Sequence, residues 1–446
     1  MSYPAYPEYK DSGVEWLGEV PAHWEVKRLK HLLIQITDRA NRRSNPIALE
    51  NIESWSGCYI ETESDFSGEG IAFQAGDLLF GKLRPYLAKV YLSKLPGEAL
   101  GDFHVIRPSA KLVPQFAFHQ LLQRQFISVV DGATHGAKMP RVGWEVMGNM
   151  PFINPPTTEQ KTIATFLDHE TARIDALVEE QKRLIALLKE KRQAVISHAV
   201  TKGLDPNVPM KDSGVEWLGE VPAHWEVLPA KFLFNFITSG SRGWAEHYSD
   251  DGELFFRITN LTRDTVHPKL ESIRYVSPPA GGEGERARIQ IGDILISITA
   301  DLGSVCVASE GIEGGYVSQH VALARPNHNI GCPAWLAYFV LGDVAKAQLL
   351  GSGYGGTKVQ LSLEDIREMI IALPPKREQH AIYQYLDGRL ARLSALLEEA
   401  SNMIIILKER RSALISAAVT GKIDVRGWQP PMGSVVSTEA SQLEAV

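Results

Sequence analysis

Cysteine is scarce: three in 446 residues, Cys58, Cys306 and Cys332, far apart and without a CxxC pair. Neither a disulfide framework nor a cysteine-built metal site is expected, and a reducing cytoplasm is the expected compartment. No apolar run approaches the roughly 20 residues that a membrane-spanning helix needs. The opening Met1-Ser2-Tyr3-Pro4-Ala5-Tyr6-Pro7-Glu8 is polar and lacks the apolar core of a secretion signal. Positive charge is not in excess either. The net charge of −7 argues against coating nucleic acid by bulk charge, while leaving local basic patches open. No H-E-x-x-H occurs among the 13 histidines, and Gly351-Ser352-Gly353-Tyr354-Gly355-Gly356-Thr357-Lys358 lacks the G-K-[ST] order of a P-loop. What is there is ordinary globular material, 44% hydrophobic. It is long enough for two or three domains at roughly 100–200 residues each.

The chain is written twice. Lys10–Val26 reads KDSGVEWLGEVPAHWEV, and Lys211–Val227 repeats it letter for letter, an offset of 201. Pro155-Pro156-Thr157-Thr158-Glu159-Gln160 is matched by Pro374-Pro375-Lys376-Arg377-Glu378-Gln379, an offset of 219. That second match continues ungapped through Leu167-Asp168 and Leu386-Asp387 to Ala199-Val200-Thr201 and Ala418-Val419-Thr420. Each half thus has a shared opening segment, a body and a shared closing segment. The bodies differ and keep only scattered framework. Gly76-Asp77-Leu78-Leu79-Phe80 parallels Gly292-Asp293-Ile294-Leu295-Ile296, and Arg107-Pro108 parallels Arg325-Pro326. Short apolar runs broken by Gly, Pro, Asn and Asp read as strands and turns. One helix per body is expected, near 116–130 and near 335–350. The fold class read from this is α+β, with two similar globules in a pseudo-two-fold internal repeat.

The closing segments read as long helices. Thr157 with Gln160 suggests a capping box, and Gly203 and Gly421 are placed to stop the helices. Roughly 45 residues without proline would extend about 65 Å. A seven-residue stripe runs through Leu167, Ile174, Gln181, Leu188 and Val195, and through Leu386, Leu393, Ala400, Leu407 and Leu414. A neighbouring stripe adds Leu177 and Leu184, matched by Leu396 and Met403. A sustained heptad seam wants a helical partner, and the economical one is the other copy, antiparallel if the halves obey the two-fold. Packing of each helix on its own globule is the alternative. The resulting division is a first globule at 1–156, a spacer helix at 157–203, a second globule at 204–375, a second helix at 376–422, and a tail at 423–446. The tail has few large apolar residues and is expected to be disordered.

Two divergent globules joined by two matching heptad helices resemble the specificity subunit of type I restriction–modification systems. The likeness runs from about Tyr9 to Asp424. It is carried by the duplicated D-S-G-V-E-W-L-G-E-V-P-A-H-W-E-V, by the duplicated P-P-x-x-E-Q…L-D…K-E-[KR]-R…A-V-T, by Gly292-Asp293-Ile294-Leu295-Ile296-Ser297 and by Gln319-His320-Val321. The resemblance implies that each globule is a target-recognition domain reading half of a split double-stranded DNA site. The unlike bodies then imply an asymmetric bipartite target. It also implies that the helices act as a ruler and that the repeated segments dock two methyltransferase subunits, with two motor–nuclease subunits in the full assembly. The chain itself would be a non-catalytic part of an adenine methyltransferase and ATP-dependent endonuclease. S-adenosylmethionine, ATP and Mg would belong to the partners, and no membrane partner is implied.

Base reading favours Arg, Lys, Asn and Gln on loops, with hydroxyls and amides holding phosphates. The first body offers Arg39, Asn41, Arg42 and Arg43, then Lys82, Arg84 and Tyr86 after a strand, then His135, Lys138 and Arg141 in a basic turn. The second offers Ser239, Ser241 and Arg242, then Arg257 and Asn260, then Tyr354, Thr357 and Lys358. The first-strand loop and the glycine-rich loop before the closing helix resemble regions that the family uses on DNA. Solvated surface charge is the bland alternative for any one of them. Trp16, Trp24, Trp217 and Trp225 recur identically in unlike bodies, which favours shared packing or docking over base stacking.

Three rival readings compete with this one. Asn154-Pro155-Pro156 invites a methyltransferase base-flipping loop, but Thr157 stands where an aromatic is needed, Leu373 replaces Asn154 in the second copy, and no F-x-G-x-G loop is present. Asp77 with Lys82 hints at a nuclease, yet Asp293 has no matching lysine. A coiled-coil scaffold that never touches DNA is the third, and weak binding to every duplex would favour it. The missing cofactor loop predicts that the purified chain alone neither methylates nor cuts DNA. Methyl transfer from S-adenosylmethionine by the partner-free chain would refute this.

Overall fold

A computed structural model describes residues 3–40, 44–62, 69–136, 138–278, 284–350 and 360–430. The chain forms two compact units, one made of residues 1–182 and 402–446, the other of residues 183–401. These units are not the five segments read from the sequence. Two helices, α1 (Thr157–Lys202) and α2 (Lys376–Val419), each give one half to each unit. Among the described residues no helix is long and apolar enough to cross a membrane. The tail beyond residue 430 lies outside the described residues.

The head of the first unit is built on a four-stranded antiparallel sheet. Its strands are β1 (Leu33–Ile36), β2 (Leu78–Gly81), β3 (Val90–Leu92) and β4 (Phe103–Pro108), in the order β1-β4-β2-β3. Ile36 faces Val105 and Gly81 faces Phe103. The second head repeats it with β5 (Phe234–Ser239), β6 (Ile294–Ser297), β7 (Val305–Val307) and β8 (Val321–Pro326), in the order β5-β8-β6-β7. Both heads add a parallel strand pair at matching places, Ile47 opposite Ala99 and Phe256 opposite Val317. The expected α+β repeat is therefore what the chain adopts. Each single helix expected in a body is two: Pro114–Leu121 with Arg124–Gly132, and Pro333–Leu341 with Asp343–Leu350. Gln123 causes the first break, because its side chain caps Phe126 N and favours a new start over continuation. Gly342 lies at the second.

The repeated motifs are explained by the bonds they make to one another. Glu159 of the closing segment accepts from Trp24 Nε1 at 3.0 Å and lies 2.7 Å from His23 Nε2. Glu378 does the same with Trp225 at 2.9 Å and His224 at 2.7 Å. Both indoles are fully buried, so the carboxylate satisfies a donor that water cannot reach. The adjacent glutamines are buried too. Gln160 accepts from Val113 N and donates to Pro155 O, while Gln379 accepts from Gly331 N and donates to Pro374 O. Gln160 thus ties the head to the helix start instead of closing a capping box with Thr157. Gly203 and Gly421 follow the helices with φ of 75° and 74°, the left-handed stop that glycine adopts without steric cost.

Asp77 and Asp293 are frame residues. Each is buried and takes a two-pronged bond from an arginine, Arg107 or Arg325, with all four distances 2.7 Å. Asp77 precedes β2 and Lys82 follows it, so they stand at opposite ends of one strand and form no nuclease pair. Asn154 ends a strand paired to Glu25–Arg28, and its side-chain oxygen accepts from Gln160 at 3.2 Å.

The two helices run against each other in both units. In the first, Ile174 and Val178 pack with Leu407 and the half-buried Leu414, and Leu167 shares a core with Ile415 and Ala418. In the second, Leu188 and Val195 pack in one core with Leu386 and Leu393. The same cores contain strand and helix residues of the heads, so helix pairing and packing on a globule occur together. The neighbouring stripe is exposed. Leu177, Leu184 and Leu187 and their repeat equivalents Leu396, Met403 and Ile406 are 41–56% exposed.

Glu159→Ala would leave the buried Trp24 donor without an acceptor, at a cost of about 1–3 kcal/mol. Denaturant unfolding should show that loss in the first unit, and the same loss in the second unit for Glu378→Ala.

Candidate nucleic-acid interface

One end of each sheet gathers the loops that carry chemistry. Because β4 runs antiparallel to both β1 and β2, the chain leaves β1, leaves β2 and enters β4 at the same end. The segment after β2 is pinned there by the basic turn. Leu83 bridges Arg141, Arg84 N donates to Pro140 O at 2.8 Å, and Val142 N donates to Lys82 O at 3.0 Å. Lys82 and Arg84 are thereby brought together with His135, Lys138 and Arg141, far apart in sequence. Arg84 and Ala88 have φ of 50° and 47°, a left-handed conformation that residues with a Cβ rarely adopt. It turns the segment sharply, and Tyr86 at its tip is 46% exposed.

Asp102, just before β4, is the acid of this cluster. It accepts from Arg141 at 2.8 Å and lies 4.0 Å from Lys82 Nζ. Arg39 pairs with the equally exposed Glu69. Such surface pairs are worth roughly 0–1 kcal/mol, so a phosphate can displace the carboxylate at little cost. His135 and Lys138 are exposed. Asn41, Arg42 and Arg43 lie outside the described residues. His104, behind the cluster, is buried and bonded to Val142 O, and burial holds its imidazole below the usual value.

The second head repeats the geometry with other chemistry. Thr299 bridges Gln360, and Leu361 N donates to Ile298 O at 2.9 Å, as Leu83 and Val142 do in the first. Ala300 takes the left-handed place of Arg84, with φ of 54°. Ser239 ends β5, with Ser241 and the exposed Arg242 beyond it. Between the two serines Gly240 is required, since a Cβ there would lie 1.9 Å from Val317 O. Thr299 Oγ1 is 3.1 Å from His320 Nδ1, whose other nitrogen is 2.9 Å from Gln319 Nε2. Among the described residues this end is, apart from Arg242, mainly neutral and polar where the first is cationic. Sequence reasoning placed Gln360 at the end of the candidate segment Tyr354–Gln360 and missed Thr299 and His320 as site residues. Extending the match of Gly76-Asp77 with Gly292-Asp293 along both strands places Thr299 opposite Leu83 and would have found it.

One assignment changes. Asn260 is 3% exposed. Its side chain accepts from Arg257 N and donates to Lys269 O and Ser272 O, so it closes a loop and is not a surface contact. Arg257 is half-buried and bonded to Ser272. Tyr354, Thr357 and Lys358 lie outside the described residues. Among the described residues no three His, Cys, Asp or Glu side chains are grouped to hold a metal.

Residues 275–404 match the family described as Type I restriction modification DNA specificity domain. The chain is similar to the type I restriction enzyme EcoBI specificity subunit of Escherichia coli, 22% identical over 85% of this chain and 81% of that protein. Its fold is that of a chain solved in work on complex assembly and conformational transition of the type I R-M system. The TM-score is 0.71 at 19% identity, over 91% of this chain and 99% of the other. The HsdS subunit from Thermoanaerobacter tengcongensis has a TM-score of 0.51 at 21% identity, over 91% and 98%. The likeness to type I specificity subunits read from the repeats is borne out.

The cationic cluster predicts a particular salt response. For each of Lys82→Ala and Arg141→Ala that removes a phosphate contact, the slope of log affinity against log salt on duplex DNA should fall by about 0.9, alike on all sequences. A loss of roughly 1–3 kcal/mol confined to one base pair would mark a base contact instead.

Proposed function

We propose that this chain is the DNA-specificity subunit of a type I restriction–modification complex. Each head reads one half of a bipartite, asymmetric duplex target. The observation that carries this reading is the pair of sheet ends: one loop frame, presented twice and dressed, among the described residues, in cationic side chains in one head and in mainly neutral polar ones in the other. One frame with two chemistries suits two unlike half-sites. A scaffold that never touched DNA would have no need of the difference.

The paired helices set the gap between half-sites and carry the partners. The exposed apolar positions Leu177, Leu184 and Leu187 recur as Leu396, Met403 and Ile406. Duplicated apolar surface suits two copies of one partner, the methyltransferase subunit. Two motor–nuclease subunits complete the assembly. S-adenosylmethionine, ATP and Mg bind those partners, and this chain contributes no catalytic group. The assembly works in the cytoplasm.

Because the helices pair antiparallel, a spacing test needs matched insertions. Seven residues after Glu180 and seven after Ile405 add one heptad to each strand of the pair, about 10 Å of helix. The preferred gap should grow by up to about three base pairs, at roughly 3.4 Å each, with unchanged half-sites. Two-residue insertions rotate the stripe by roughly 200° and should abolish pairing. The measurement is methylation of a duplex library of varied gap lengths by the assembled complex. An unchanged gap with full activity would end the ruler reading.

A further inference from the structure

Each long helix carries one arginine that bonds the main chain of the head belonging to the other repeat. We propose that these two, Arg411 and Arg192, are positioning residues. Each seats one head on the helix pair in a fixed orientation through backbone carbonyls, so that the seat is indifferent to which head occupies it. The inference rests on the reading of the heads as DNA-binding modules.

Arg192 and Arg411 are separated by 219, the offset of the closing segments. Arg411 Nη1 donates to Trp55 O at 2.9 Å, with Ser56 O 3.5 Å from Nη2, and its Nε donates to Asp175 at 2.9 Å. Arg192 donates to Asp264 O and, at 3.3 Å, to Ser394 Oγ. Trp55 stands four residues past Asn51, and Asp264 four past Asn260. Those asparagines build the same loop twice. The first accepts from Ala48 N at 2.9 Å and donates to Ile60 O, nine residues on. The second accepts from Arg257 N at 3.0 Å and donates to Lys269 O, also nine residues on.

The side chains at the gripped position have nothing in common, a tryptophan in one head and an aspartate in the other. The gripped atom is the same. The bond to the carbonyl itself reads no side chain, although in the second seat the Asp264 carboxylate also lies 3.6 Å from Arg192 Nη1, so a head that keeps this loop fits the seat. Both arginine side chains are only 10% exposed, and a buried guanidinium needs its donors satisfied. Trp55 holds its carbonyl toward Arg411 with φ at 67°, in the left-handed region that non-glycine residues rarely enter. A cavity of about 780 Å³, lined by Glu53, Trp55, Cys58, Asp175, Arg411 and Ile415 among others, opens beside the first seat. Head and helices meet there across a gap as well as through packed apolar groups, so Arg411 holds this side of the head while Gln160 and Glu159 hold it at the helix start. The second seat is weaker. Ser394 occupies the place of Asp175, and Arg192 Nε is buried without a partner.

The test uses the full chain with spin labels on Lys94→Cys in the first head and Glu180→Cys on the helix, in a Cys58→Ser background. The label–label distance distribution should be narrow in the parent and at least twofold broader in Arg411→Ala. Arg411→Lys should not restore it, because an ammonium lacks the planar fork. In complex with methyltransferase subunits, Arg411→Ala should select the same half-sites from a duplex library. Its gap lengths should spread from one value to the neighbouring ones. An unchanged distance distribution would overturn the seat, even with lowered stability. A broadened distribution with an unchanged gap would overturn its positioning role. If the parent selects no bipartite sequence, the DNA-reading function fails, while the distance measurement still decides the seat.

Discussion

A helix of 44 or 46 residues cannot bury its own apolar stripe, and the rest of this chain is arranged by how that stripe is covered. Each helix is covered by the other, running the opposite way, and each unit takes half of both. The cores of the heads are continuous with the seam, through Leu167 and Ile163 in one unit and Leu386 and Leu390 in the other. A small α+β head is thus stabilised by two helical segments that arrive from distant parts of the chain. The Glu159 and Glu378 bonds fix where each opening segment meets its helix, and they account for why A-H-W and P-P-x-x-E-Q recur together.

The repeats were legible because identity needs no physical theory, and the long helices because a seven-residue stripe persists through five successive positions. Their stops at Gly203 and Gly421 were legible for the same kind of reason, a glycine just past the last apolar residue. The exposed second stripe was visible as a pattern, but pattern alone does not say whether a partner is inside the chain or outside it. The break at Gln123 was not seen, because a polar residue inside an apolar run reads as a helix face until its side chain is known to cap. Asn260 was misread for a related reason. A polar residue in a polar stretch gives no sign of being turned inward, and only its match with Asn51, in bodies too diverged to align by eye, would have shown a structural role.

The heads keep the groups that hold the loops and vary those that the loops present. Asp77 with Arg107 and Asp293 with Arg325 lock the same strand junction, and left-handed residues at 84 and 300 turn the chain in the same place. On that frame Lys82 and Arg84 give way to Ile298 and Ala300, and Arg141 to Gln360. Charge of this kind raises affinity for any polyanion, whereas neutral donors and acceptors discriminate by geometry. In the proposed function the two heads would therefore differ in salt sensitivity as well as in preferred bases.

The way the segments around Pro4 and Asp424 are held has a practical consequence. Asp424 N donates to Pro4 O at 2.7 Å, Tyr9 donates to Gly421 O at 2.9 Å, and Arg426 lies over the Tyr6 ring. Pro4–Tyr9 and Gly421–Arg426 therefore meet within the first unit, at the place that the second unit fills with the continuous residues 203–210. A dye or affinity handle attached near Pro4 or near Asp424 would report on the same head. An independent view of the second head calls for a label inserted in the turn at Leu204–Pro209, the counterpart in the second repeat.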